Sequence, residues 1–153
     1  MTYDLANSLT AVQLLDPANT TATVTSDTLD RQESIGSPMI IVAVGESGDT
    51  LSSTVLWSLS IQDSPDDSTW TAVTDNSRVS FADVAAGGIY AVIDAAAEDD
   101  ASYPIGYTGP ERYVRVLATK TGTHSNGTPI GVVAVIENIH KPSSGSDNGT
   151  ATA

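Results

Sequence analysis

The sequence predicts an all-β protein, an antiparallel β-sandwich or a jelly-roll-like barrel. Three observations predict it. Thr, Val, Ile and Ser dominate the chain, and these are residues that favour a pleated, half-buried surface. Gly, Pro, Asn and Asp clusters punctuate it at short intervals, as turns between short strands would. Period-two alternation is clear at Val55-Leu-Trp-Ser-Leu-Ser-Ile61, where Val55, Trp57, Leu59 and Ile61 share one face.

The elements follow in chain order. Leu5, Leu9, Val12 and Leu15 have roughly helical spacing, while Leu9, Ala11 and Gln13 also permit a strand, so this segment stays open between the two. Thr20 to Thr25 reads as a weak edge strand. Pro38-Met-Ile-Ile-Val-Ala-Val44 is apolar on both faces, the signature of a central strand covered on both sides, with Pro38 confined to its beginning or to an edge. Val55–Ile61 runs into the turn formers Asp63-Ser-Pro-Asp-Asp-Ser68 and returns as Thr69-Trp-Thr-Ala-Val73, a hairpin. Gly88–Ile93 and Glu111–Thr119 are further strands; in the second, Val114, Val116 and Ala118 face inward, with Arg112 at the entrance on the same side. Asp94–Asp100 contains helix formers but is too short for more than a turn or two. Ile130–Ile136 is a second run apolar on both faces. From Ser143 to Ala153 no large apolar residue occurs, which predicts disorder. The expected organisation is an N-terminal arm and linker over 1–33, a β-domain over 34–141 and a disordered tail over 142–153.

Length and charge bound the function. A chain of 153 residues suits one domain and buries roughly 70% of its unfolded surface. Six Lys plus Arg against 19 Asp plus Glu leave a net charge of −13, with a pI near 4.1. Nucleic acid and anionic membrane surfaces both demand gathered cations, and the six here are scattered, so neither is expected as a partner. No apolar run approaches the ~20 residues that span a bilayer, and Met1-Thr-Tyr-Asp does not read as the start of a secretory signal. Zero Cys excludes disulfides, thiolate metal sites and a Cys nucleophile. With His124 and His140 the only histidines, composition argues against an enzyme, and no cofactor is implied.

Four groups of residues invite a functional reading. Asp63, Asp66 and Asp67 cluster at one turn, and Glu98, Asp99 and Asp100 at another. A Ca²⁺ ion needs six to eight oxygens at about 2.3–2.6 Å, but neither run has EF-hand spacing, so solvated turn residues are the plainer reading and a Ca²⁺ near Asp63, Asp66 and Asp67 stays open. His124 lies in Thr121-Gly-Thr-His-Ser-Asn-Gly-Thr-Pro129, without a nucleophile elbow; Asn126-Gly127 is the chemistry of a tight hairpin turn. Among the aromatics, Trp57 and Trp70 are expected in the core, at matching positions of a hairpin. Tyr103 and Tyr107, in a Gly/Pro-rich stretch, are the better candidates for outward contact. Finally, Leu5, Leu9, Val12, Leu14 and Leu15 give the arm apolar side chains that either fold back or dock on a neighbour.

Several stretches together resemble small head proteins of tailed bacteriophages and related prophage or gene-transfer particles. They are Ala43-Val-Gly-Glu-Ser-Gly-Asp-Thr-Leu51, Leu59-Ser-Ile-Gln-Asp-Ser-Pro-Asp-Asp-Ser-Thr-Trp-Thr-Ala-Val73, Ala95-Ala-Ala-Glu-Asp-Asp-Ala101, Tyr107-Thr-Gly-Pro-Glu-Arg-Tyr-Val-Arg-Val116 and Thr121–Ile130. The resemblance covers residues 36 to 137 and carries no catalytic motif. It implies a structural virion protein of the capsid decoration, or cement, type. Such a protein is made in the host cytoplasm, sits on the capsid exterior, commonly as a homotrimer, and clamps major capsid protein subunits. A head–tail connector, tail-tube or head-fibre-base protein has the same composition. A carbohydrate-binding sandwich is a further alternative, and would need Tyr103 and Tyr107 as an exposed aromatic platform.

Overall fold

The computed structural model describes residues 5–33 and 36–137. After a single helical turn (α1, Leu5–Ser8) the chain is built from strands β1 (Leu9–Thr20), β2 (Val24–Thr25), β3 (Leu29–Asp30), β4 (Met39–Val44), β5 (Leu56–Ser64), β6 (Thr71–Ala72), β7 (Val79–Ser80), β8 (Ile89–Ile93), β9 (Ala101–Tyr107), β10 (Tyr113–Thr121) and β11 (Thr128–Glu137). All pairings are antiparallel. A five-stranded sheet runs β1-β11-β4-β9-β7. A second sheet runs β2-β10-β5-β6, with β3 also on β10 and β8 on β5. Two sheets face to face are the predicted sandwich.

The inner faces follow the alternation of each strand. Ile40, Val42 and Val44 of β4 and Ile130, Val132 and Ala134 of β11 meet Trp57, Leu59 and Ile61 of β5 and Val114, Val116 and Ala118 of β10. Trp57, Leu59, Ile61 and Val114 are wholly buried. At about 25 cal/mol per Å² of apolar surface, burial of such side chains contributes roughly 1.5–3 kcal/mol each.

The N-terminal region departs from its predicted role. Residues 9–30 are not an arm and linker ahead of the domain: β1 pairs with β11 from Leu9↔Glu137 to Thr20↔Thr128, while β2 and β3 pair with β10. The open choice for 5–15 resolves as a helical turn and then a strand. Two bulges, between Gln13 and Leu15 and between Leu15 and Ala18, break the alternation of β1. They let adjacent residues Leu14 and Leu15 both reach the core, Leu14 at 3% exposure. The predicted tail, 142–153, lies outside the described residues.

Three other expectations are adjusted. Asp63 belongs to β5 rather than to the following turn. Trp70 does not share the core with Trp57; it lies half-buried beneath the Arg115 guanidinium, 4.1 Å from the ring centroid. Asn126-Gly127 does turn the chain between β10 and β11, with Gly127 at φ 83, but the two strands lie in different sheets, so the connection crosses the sandwich instead of closing a hairpin.

That crossing starts at Gly122, which takes φ 78 and brings its backbone so close to β5's approach that an added Cβ would stand 2.1 Å from Thr54 O. Gly122→Ala is therefore expected to cost at least about 2 kcal/mol, the left-handed backbone penalty plus a shift of main chain. Urea unfolding measures this; an unchanged midpoint would show that the loop relaxes freely.

Candidate functional site

The polar groups that invited a functional reading are mostly used internally. His124 is buried, its ring centroid 4.6 Å from that of Trp57. Its Nε2 lies 3.1 Å from Thr121 O and 3.3 Å from Leu56 O, and its Nδ1 faces Asp49 Oδ2 at 3.8 Å. Asp49 was not singled out in the sequence, yet it fastens the crossing loop. Its carboxylate accepts from the backbone N–H groups of Ser125 and Asn126 at 3.0 Å and of Gly127 at 2.8 Å. The Asn126 N–H above all, with those of Gly127 and Ser125 and the His124 ring, holds the Asp49 carboxyl below the usual range. Beside it Thr128, fully buried, accepts from Trp57 Nε1 at 2.9 Å and shares a hydrogen bond with Ser47 Oγ at 2.9 Å. This is a fastening between sheets, with no ring nitrogen turned toward a hydroxyl nucleophile.

The first acidic cluster is dispersed by the fold. Asp66 turns back on its own loop, accepting from Ser68 N, Thr69 N and Ser64 Oγ, and the Thr69 N–H above all holds its carboxyl well below the usual range. Asp67, at φ 61, accepts from Thr28 Oγ1 at 2.8 Å. Asp63 points inward, 5% exposed. In the second cluster Glu98 accepts from the N–H groups of Asp94 and Ala95, and Asp99 from Ser47 N. Among the described residues, no three His, Asp or Glu side chains come together in a way that could hold a metal ion.

The tyrosines are corrected as outward contacts. Tyr107 is fully buried: its hydroxyl donates to Asp63 Oδ2 at 2.5 Å and accepts from Glu111 N at 3.3 Å, and its ring lies under the Arg31 guanidinium at 4.7 Å. Tyr103 is half-buried in register with the inward-facing Val42, and its hydroxyl donates to Glu98 O. Neither offers the flat exposed ring that a sugar platform requires. Of the arm residues, Leu14 is in the core, Val12 and Leu15 pack against it, and Leu9 is 41% exposed; the side chain of Leu5 lies outside the described residues. The cations are dispersed too. Arg112 forks onto Asp30 at 2.7 and 2.8 Å, Arg31 donates to Gly109 O and Glu111 O, and Arg78 lies 3.7 Å from Asp63.

What remains open to the outside is a sheet face. β4 and β11 are apolar on both sides, which predicted cover on both, but the sandwich covers only one. On the outer side of the five-stranded sheet the register sets Ala11, Val135, Met39 and Gly106 in one row, then Gln13, Val133, Ile41 and Pro104, then Gly131, Ala43 and Ser102. None of these side chains is ionisable. Ala43 is exposed, Val133 is 36% exposed, and Met39, Ile41, Val135 and Pro104 are partly so.

At one end of this face stands Phe81, 73% exposed and held at φ 72, a backbone conformation that a bulky side chain rarely adopts. Its ring lies against Gly106, where a Cβ would meet it at 3.3 Å. With Leu9, Met39 and Val135 it lines a groove of about 360 Å³. Sequence reasoning missed Phe81, because Val79-Ser-Phe81 alternates like any core strand and gives no local sign of the backbone reversal. Among the described residues, no helix is long and apolar enough to cross a membrane. No protein-family model matches the chain, and no curated protein sequence matches it.

Proposed function

We propose that this chain is a structural virion protein of a tailed bacteriophage, one that binds the capsid exterior and stabilises the shell by bridging major capsid protein subunits. The observation that carries the reading is how the protein spends its side chains. His124, Asp63, Asp66 and Tyr107 are tied up in internal contacts, while a broad, uncharged sheet face stays open for association. The resemblance to phage head proteins falls on residues 36 to 137, which hold eight of the eleven strands, β4 to β11, so it concerns the sandwich body. A net charge of −13 suits an outer surface and opposes one lining packaged DNA.

The stabilisation would work by mass action. A ligand that binds only the assembled lattice stabilises it by about 2.7 kcal/mol per site at a hundredfold excess over Kd. Electron cryo-microscopy of the particle tests the reading, with the sandwich fitted into density. Copies arrayed over junctions between capsid subunits on the outer shell are expected. Density confined to one vertex or to the tail would overturn it in favour of a connector, tail-tube or fibre-base role.

A further inference from the structure

We propose that the outer face of the five-stranded sheet is a self-association surface on which two copies of this chain pack sheet against sheet, anchored by Phe81. This goes beyond the capsid reading, which draws on the same open face, and it is tested on the purified chain where that reading is tested on the particle.

A strand apolar on both faces belongs in a sheet covered on both sides. Met39, Ile41 and Ala43 on β4, and Val133 and Val135 on β11, meet that description, yet the chain's second sheet covers only the opposite side. Residues 138–153 contain Ile139 as their single large apolar residue, too little apolar surface to supply that cover.

Charge then selects the partner. A partner recruited by this strongly acidic chain through charge would meet carboxylates, and the face presents none across its three central rows. An uncharged face is, by contrast, where two chains of net charge −13 can approach without setting carboxylates against each other. The acids stand at its margins: Glu137 pairs with Leu9 at one end, and Asp16, which accepts from Gln13 Nε2, at the β1 side.

Size agrees. Four strands, β1, β11, β4 and β9, about 4.8 Å apart and about six residues long cover about 400 Å², and β7 adds only Val79–Ser80. Two such faces, with side-chain relief and Phe81 included, would bury about 1,200 Å² in all, the lower bound of specific interfaces. Phe81 supplies the anchor, an exposed aromatic on a strained backbone beside a groove whose apolar wall is Leu9, Met39 and Val135 and whose polar lining is Ser8, Ser37 and Glu137, and each copy's Phe81 would pack on the other's apolar wall. A face that meets itself closes at two copies. The inference therefore predicts a dimer, where the resemblance implies a trimer.

Sedimentation equilibrium of the purified full chain tests it. The weight-average mass is expected to climb from 15.8 kDa toward twice that value as concentration rises from about 5 to 500 µM. The climb should be steeper at high salt, because the marginal carboxylates repel and salt screens them. Ala43→Glu and Val133→Glu, both at exposed outward positions, should each hold the chain at monomer mass with unchanged thermal unfolding, and Phe81→Ser should weaken pairing at least about tenfold. A wild-type monomer throughout, a trimer, or a dimer indifferent to all three substitutions would overturn the proposal. None of those results would disturb the capsid reading, which is decided on the particle.

Discussion

Trp57→Ala is expected to lower the stability of the sandwich by about 3–5 kcal/mol, a large part of the 5–15 kcal/mol that a domain of this size holds. Trp57 is wholly buried on β5, facing the opposite sheet, so truncation leaves a cavity that two rigid sheets cannot close. It also removes the ring that His124 packs against and the N–H that Thr128 accepts. Two milder substitutions divide the effect. Trp57→Phe keeps most of the apolar volume and leaves Thr128 still bonded to Ser47, so it should cost less than Trp57→Ala. Thr128→Val leaves the buried indole N–H without an acceptor, a loss of about 1–3 kcal/mol. A double-mutant cycle of Trp57→Phe and Thr128→Val in urea should show clear non-additivity, because each removes the same hydrogen bond. Additive losses would mean that the bond contributes nothing and that Trp57 acts by volume alone.

Much of this core was legible in the sequence because its signal is local. Trp57, Leu59 and Ile61 alternate with Ser58 and Ser60, and Val114, Val116 and Ala118 alternate with Arg115 and Leu117; a period of two needs only a short window to be recognised. Signals that depend on parity over longer stretches failed. The bulges of β1 put Leu14 and Leu15, neighbours in sequence, into one core, so the strand read as an arm. Asn126-Gly127 was recognised as a turn, but no local feature distinguishes a return within one sheet from a crossing to the other. The candidate site was the least legible. Tyr103 and Tyr107 were chosen for their Gly/Pro-rich surroundings, but those glycines serve close packing: a Cβ on Gly109 would stand 2.4 Å from the Tyr107 hydroxyl. The open sheet face was visible as the doubly apolar runs Pro38–Val44 and Ile130–Ile136. What composition could not say is that the chain has two sheets to cover three apolar faces.

Removing the Tyr107 hydroxyl is expected to cost about 2–3 kcal/mol at neutral pH, since Tyr107→Phe strips a buried carboxylate of its hydrogen-bond donor. Asp63 is 5% exposed, and the remaining partner is Arg78, 3.7 Å away and itself 42% exposed at its side chain. Glu111 N–H loses an acceptor in the same step. The substitution should also change how stability depends on alkaline pH. Burial above all, and then the hydrogen bond to Asp63, hold the Tyr107 phenol above its ordinary pKa of 10.0; burial alone does the same for Tyr90, whose hydroxyl is buried with no hydrogen-bond partner among the described residues. Both phenols stay protonated in the fold after their unfolded counterparts have ionised. Their contribution is therefore complete below pH 10 and declines as pH rises from there toward the folded pKa, each phenol by up to about 1.4 kcal/mol per pH unit. Tyr107→Phe removes one of the two, so the variant should start less stable at pH 7 and lose stability less steeply between pH 10 and 11.5. Urea unfolding across that range measures both effects. Equal stability at pH 7 would mean that Asp63 is satisfied without the phenol, and an unchanged alkaline slope would mean that Tyr107 ionises as readily in the fold as in the unfolded chain.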